Sequence, residues 1–142
     1  LKIYNLTEDS EVYTSNVYLI TGSWKGMNGI NTLIDVGRDP SIIEKISRLS
    51  TGVGKKAVEQ IILTHGHFEH AGLLGIIIEM FQPKVYAWSR NIPGVDFILE
   101  DGASLRIGDS DFEVIYTLGH SSYSICLGSE AGKNFFPVIL QC

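Results

Sequence analysis

Three of the four histidines in this chain are packed into six residues, His65-Gly66-His67-Phe68-Glu69-His70, between two apolar runs of different character. The run before them, Val58 to Thr64, is short and rich in β-branched residues, the pattern of a buried strand. The run after them, Ala71 to Gln82, is apolar on nearly every side and ends at Pro83, the pattern of a buried helix. The histidines are therefore expected on a strand-to-helix loop. In an open α/β sheet such loops lie at the carboxyl ends of the strands, where ligands bind.

Imidazole is the commonest protein ligand for zinc and related metals, so the cluster points to a metal site. His65 and His67 are two apart and project the same way from an extended stretch, so they can share one ion. Glu69 and His70 come as the chain turns into the helix, and can face a second. The fourth histidine stands in Gly119-His120.

Thr64-His65-Gly66-His67-Phe68-Glu69-His70 resembles the His-x-His-x-Asp-His signature of the metallo-β-lactamase fold superfamily, with Glu69 in place of the aspartate. Upstream, Asn31-Thr32-Leu33-Ile34-Asp35-Val36-Gly37 is similar to the family's strand ending in Ile-Asp-Thr-Gly. Downstream, Thr117-Leu118-Gly119-His120-Ser121-Ser122 resembles its Pro-Gly-His-Thr segment. The resemblance implies a metal site of His65, His67, Glu69, His70 and His120. His65, His67 and His120 complete a first site, and Glu69 and His70 supply half of a second.

The family's bridging aspartate and its final histidine have no counterpart. Pro137 and Val138 stand where Gly-Asp is expected in the strand read over Lys133 to Leu140, and no aspartate follows Asp111. The implied fold is α/β (α+β), a metallo-β-lactamase-like αββα sandwich represented mainly by its first half. The expectation is one domain over residues 1–142, incomplete at its carboxyl end. The apolar Val138-Ile139-Leu140 would then leave an open edge suited to self-association, giving a homo-oligomer through the carboxyl-terminal strands.

Along the chain, Lys2 to Leu6, Ser15 to Thr21 and a run ending at Asp35 read as strands. Lys84 to Trp88, Phe97 to Leu99, Ser104 to Ile107, Phe112 to Tyr116 and Ser124 to Leu127 read as further ones. Asp39 as N-cap and Pro40 at the first helical position open a helix whose Ile42, Ile43, Ile46 and Leu49 fall on one face. The pattern is α/β early and β-rich late, and at 142 residues it suffices for one core.

A net charge of −5 and a pI near 5.3 argue against a broad phosphate-binding surface, so no nucleic-acid partner is expected. No run is long enough to span a bilayer and no leader pattern opens the chain, so no membrane partner is expected either. Two cysteines, Cys126 and Cys142, give no disulfide framework and fit the cytoplasm.

Three neutral histidines leave a coordination position open, and a water bound there drops to a pKa of about 7. The resulting metal-bound hydroxide would attack an ester, thioester, lactone, amide or phosphoester of a small-molecule substrate. Glu69 is the catalytic candidate, as a ligand or proton acceptor in the role of the family's aspartate. Zinc, as one or two ions, is the default cofactor, with iron or manganese as substitutes. Asp35 either caps a turn before Gly37 or, as the resemblance implies, orients a metal-bound histidine from behind. Trp24 and Met27, in the glycine-rich stretch Gly22 to Gly29, either form a flap over substrate or cover core, and Trp88, Ser89 and Tyr123 lie near strand ends that face the site or pack. Two other functions remain open: a mononuclear iron oxygenase of a thiol or persulfide, and a non-catalytic or fragmentary domain of the same fold.

Overall fold

The computed structural model describes residues 2–12, 14, 16–22, 29–49, 56–64, 71–87, 92–118 and 123–129. Six strands form the first sheet: β1 (Lys2–Asn5), β2 (Tyr18–Thr21), β3 (Thr32–Ile34), β4 (Gln60–Leu63), β5 (Lys84–Ala87) and β6 (Phe97–Ile98), side by side in chain order. β1, β2 and β3 run antiparallel, and β3 through β6 run parallel. The parallel pairs require crossovers, supplied by α1 (Ser41–Arg48) between β3 and β4 and by α2 (Ala71–Phe81) between β4 and β5. A second, antiparallel sheet follows, β7 (Ser104–Ile107), β8 (Ser110–Leu118) and β9 (Tyr123–Ser129).

The layers follow from the two-residue period of a strand. In β3, Leu33 joins a cluster with Ile42 and Ile46 of α1 and Leu73, Leu74 and Ile77 of α2, whereas its neighbour Ile34 joins Ile107, Phe112 and Val114 of the second sheet. Ile61 and Ile62 of β4 divide the same way. All four are fully buried, so the central strands are covered on both faces, and each side chain contributes roughly 1.5–3 kcal/mol by leaving water. Helices, first sheet and second sheet thus stack as α, β and β, three layers of the expected αββα order.

Both sheets are fastened at the amino end of the parallel strands. Gln60 is buried in β4, where its Nε2 donates to Thr32 Oγ1 at 2.7 Å and across to the Arg106 carbonyl of β7 at 2.7 Å. Ile30 and Gly108 exchange two backbone hydrogen bonds, of 2.7 and 2.9 Å, just before β3 and in the β7–β8 turn.

The cap of α1 is Pro40 rather than Asp39, since the regular helix starts at Ser41, one residue later than expected; Asp39 stands just before it, its Oδ1 accepting the Ser41 N–H at 3.0 Å. α2 differs from its sequence reading. It is half-buried rather than enclosed, with Ile76 and Met80 exposed, because it rests one side on the sheet and no described layer lies outside it. The strand read over Lys133 to Leu140, and with it the edge proposed for self-association, lies outside the described residues. Among the described residues no helix is long and apolar enough to cross a membrane.

Candidate metal centre

The carboxyl ends of β3 and β4 meet at Asp35 and Thr64. Asp35 continues the pairing of β3 by donating its N–H to the Ile62 carbonyl at 2.9 Å, then turns with φ at +62°. That left-handed conformation is uncommon outside glycine and is better tolerated by aspartate than by most residues. The Asp35 carboxylate accepts the Thr64 N–H at 2.8 Å on Oδ1, and the Thr64 hydroxyl on Oδ2. Asp35 is 5% exposed and Thr64 fully buried, so this paired contact is shielded from competing water. It pins the backbone at the residue directly before His65.

His65, His67, Glu69 and His70 lie between Thr64 and the first residue of α2, and His120 lies between β8 and β9; all five are outside the described residues. Their flanking strands are described. β8 starts beside the Ile30–Gly108 bridge at the amino end of β3 and runs nine residues away from it, and Gly119-His120 follows its last residue. Trp88 and Ser89 follow β5 outside the described residues, and Tyr123 opens β9.

Trp24 and Met27 also lie outside the described residues, but the two glycines that flank them do not. A Cβ on Gly29 would stand 3.1 Å from the Gly22 Cα, so these two backbones touch, beside Gly108 and Asp109. Their junction is at the amino end of the sheet, opposite Asp35, because β2 runs antiparallel to β3 with Ile20 across from Thr32.

The link from β1 to β2 leaves and rejoins the sheet at the Asp35 end, a feature that hydrophobic periodicity does not reveal. Asn5 pairs with Tyr18, and Tyr18 with Ile34. Ser10 Oγ donates to Asp39 Oδ2 at 2.6 Å, and the Arg38 N–H donates to Thr14 Oγ1 at 2.8 Å. The hydroxyl of Ser10, aided by the Ser41 N–H, holds the Asp39 carboxyl below its ordinary value of 3.8.

The sequence profile described as the metallo-beta-lactamase superfamily matches residues 11–137. The chain belongs to this superfamily. Among curated members it is 38% identical over 73 residues to a hydroxyacylglutathione hydrolase of Maricaulis maris, covering 49% of this chain and 28% of that one. A hydroxyacylglutathione hydrolase of Mesorhizobium japonicum is 30% identical over 112 residues, covering 77% of this chain and 42% of its own length. The chain thus spans well under two thirds of these relatives. Among solved structures, ETHE1 from Myxococcus xanthus superposes with a TM-score of 0.67 at 24% identity, covering 91% of this chain and 54% of that one. This likeness extends the superfamily fold over most of the chain.

Proposed function

We propose that this superfamily member is a metal-dependent hydrolase of small-molecule esters, thioesters, lactones, amides or phosphoesters, with acyl thioesters of glutathione as the first class to test. The choice of thioester rests on the names of the hydroxyacylglutathione hydrolases to which the chain is similar. The observation that carries the reading is the contact between Asp35 and Thr64, a buried carboxylate locking the entry to the histidine cluster at the ligand-binding edge of the sheet.

The residues fit a metal by the chemistry of their donors. His65, His67 and His120 offer three imidazoles for one ion, and Glu69 and His70 offer a carboxylate and an imidazole for a second. A zinc ion held there supplies Lewis acidity and lowers the pKa of a coordinated water to about 7. The direction of β8, away from the Ile30–Gly108 bridge, supports a meeting of His120 with His65 and His67. Asp35 acts behind the ligands, fixing Thr64 and so the start of the loop. The Glu69 carboxylate serves as ligand or accepts the proton released from the nucleophile.

Protein purified without added metal, analysed for its elements and assayed on acyl-glutathione thioesters, tests the proposal. Zinc retained by the wild type and lost in His67→Ala and His120→Ala, together with turnover, is the expected result. Little metal and no turnover would support the non-catalytic reading. A second enzymatic reading, an iron oxygenase of a thiol or persulfide, draws on Pro137 and Val138 standing where the family's Gly-Asp is expected. One iron per chain in the same analysis would favour it.

A further inference from the structure

The topology of the sheets sorts the described cations by end. β1 runs parallel to β3, because each is antiparallel to β2, so Lys2 opens β1 at the amino end of the parallel strands. Lys84 opens β5 at that end, and Lys56, which precedes β4, donates to the Gln82 carbonyl at 3.2 Å. Arg106 belongs to the seam beside Gln60 and pairs with Asp111 at 3.4 Å. α1 returns from the carboxyl end, so Arg48 falls towards the amino end, paired with Glu44. Lys45 is half-buried and taken by the Leu6 carbonyl and Asp9. Among the described residues, Arg38 is the exposed cation at the carboxyl edge.

The other exposed charges described at that edge are acidic: Glu8, Asp9 and Glu11 on the link from β1 to β2, and Glu100 and Asp101 beyond β6. Arg38 stands three residues past Asp35, and three residues span at most about 11 Å, less here because Asp35 and Gly37 both turn left-handed at +62°. Its backbone is fixed by Thr14 Oγ1, which accepts the Arg38 N–H at 2.8 Å. The adjacent carboxylate of Asp39 has one oxygen on Ser10 and the other on the Ser41 N–H. A fixed backbone near the Asp35–Thr64 contact thus carries a planar fork of donors, whose geometry matches a carboxylate. We propose that Arg38 determines specificity by binding a carboxylate of the substrate, remote from the bond that is cut, and that the centre takes acidic thioesters in preference to neutral ones. On an acidic edge an anion is repelled except where such a cation receives it, so this residue also orients the substrate. The inference rests on the hydrolase reading above and adds to it the charge of the substrate.

The test compares wild type, Arg38→Ala and Arg38→Lys as zinc-loaded full chains. Two uncleavable thioethers serve as ligands, S-hexylglutathione, which carries carboxylates, and S-hexyl-N-acetylcysteamine, which carries none, and calorimetric titration gives Kd for each. Arg38→Ala is expected to cut the preference for the charged thioether about tenfold, the scale of a hydrogen bond to a charged group. Arg38→Lys, a point charge without the fork, should recover part of it. Raising the ionic strength from about 0.01 to about 0.15 M should weaken the charged thioether more in wild type than in Arg38→Ala. With the corresponding hexanoyl thioesters, the same preference should appear in KM rather than in kcat. A wild type without preference for the charged thioether would overturn the inference, as would a preference that survives in Arg38→Ala. So would an equal weakening of both thioethers, which would place the effect in the fold of the corner. A preference that depends on Arg38 in a chain that turns over neither thioester would overturn the hydrolase reading and leave the carboxylate site standing. Turnover with a preference independent of Arg38 would do the reverse.

Discussion

The carboxylate of Asp35 holds Thr64 by two groups at once, the backbone N–H at 2.8 Å and the side-chain hydroxyl, across the parallel junction of β3 and β4. Removing that carboxylate leaves two buried donors without it. Asp35→Ala is therefore expected to lose about 2–4 kcal/mol of stability, a sum of unsatisfied donors and a left-handed backbone better suited to aspartate. Asp35→Asn keeps one acceptor oxygen and should lose less. Urea denaturation of both variants checks the order.

The same pair bears on metal affinity. If Asp35 orients the loop that carries the histidines, Asp35→Asn should weaken zinc binding about 10–100-fold, as loss of outer partners does at other sites. Competition with a chelating dye measures it. Unchanged affinity in a folded Asp35→Asn would reduce Asp35 to a turn residue.

Glu69→Gln is expected to abolish thioester hydrolysis while leaving thermal unfolding unaltered, because the change is isosteric and removes only the charge. Full retention of activity would show the carboxylate to be dispensable.

Acid should loosen the corner at Asp39. Its carboxyl titrates below 3.8 in the folded chain, chiefly because Ser10 donates to it, so the folded state binds that proton less readily than the unfolded one. The stabilisation is then present in full above the unfolded value and is lost as pH falls through the folded one. Melting temperature should be level above about pH 5 and fall below about pH 4, and Ser10→Ala should flatten that fall. A scan of melting temperature against pH in both proteins gives the comparison.

Gln60→Leu keeps the bulk of the side chain and deletes the donor shared by Thr32 and Arg106. The Arg106 carbonyl loses its 2.7 Å partner at the sheet-to-sheet seam, and a cost of about 1–3 kcal/mol is expected. Chemical denaturation at neutral pH reads it directly.

Much of the frame was legible because burial imposes periods. Ser104 to Ile107 is a strand at the expected bounds, and the apolar run Val58 to Thr64, read as a buried strand, carries Ile61 and Ile62 fully buried in different clusters. Where strand ends differ, pairing decides. β8 reaches from Ser110 to Leu118, well past Phe112 to Tyr116, because its outer residues are matched one for one along β7 and β9. Of the candidate site, Asp35 was visible as a motif residue, but its bond to Thr64 depends on the register of two strands distant in sequence. The end of the sheet occupied by a link was not legible either. Only the antiparallel sense of β2 puts Gly22 and Gly29 at one end and Ser10 at the other.

The seam at Gln60, Ile30 and Gly108 makes the two sheets a book bound along one spine. The polar ties at Gln60–Arg106 and Ile30–Gly108 join the covers at the amino end, and the faces between the covers are filled by apolar packing that includes Phe112, Val114, Ile34 and Ile62. A fluctuation that parts the covers will pivot about the spine and widen the opposite margin first. Directional bonds resist such opening while apolar packing tolerates exchange of shape, so the margin is where inherited changes of side chain cost the assembly least. One frame can therefore pass through many revisions of what it admits without being rebound.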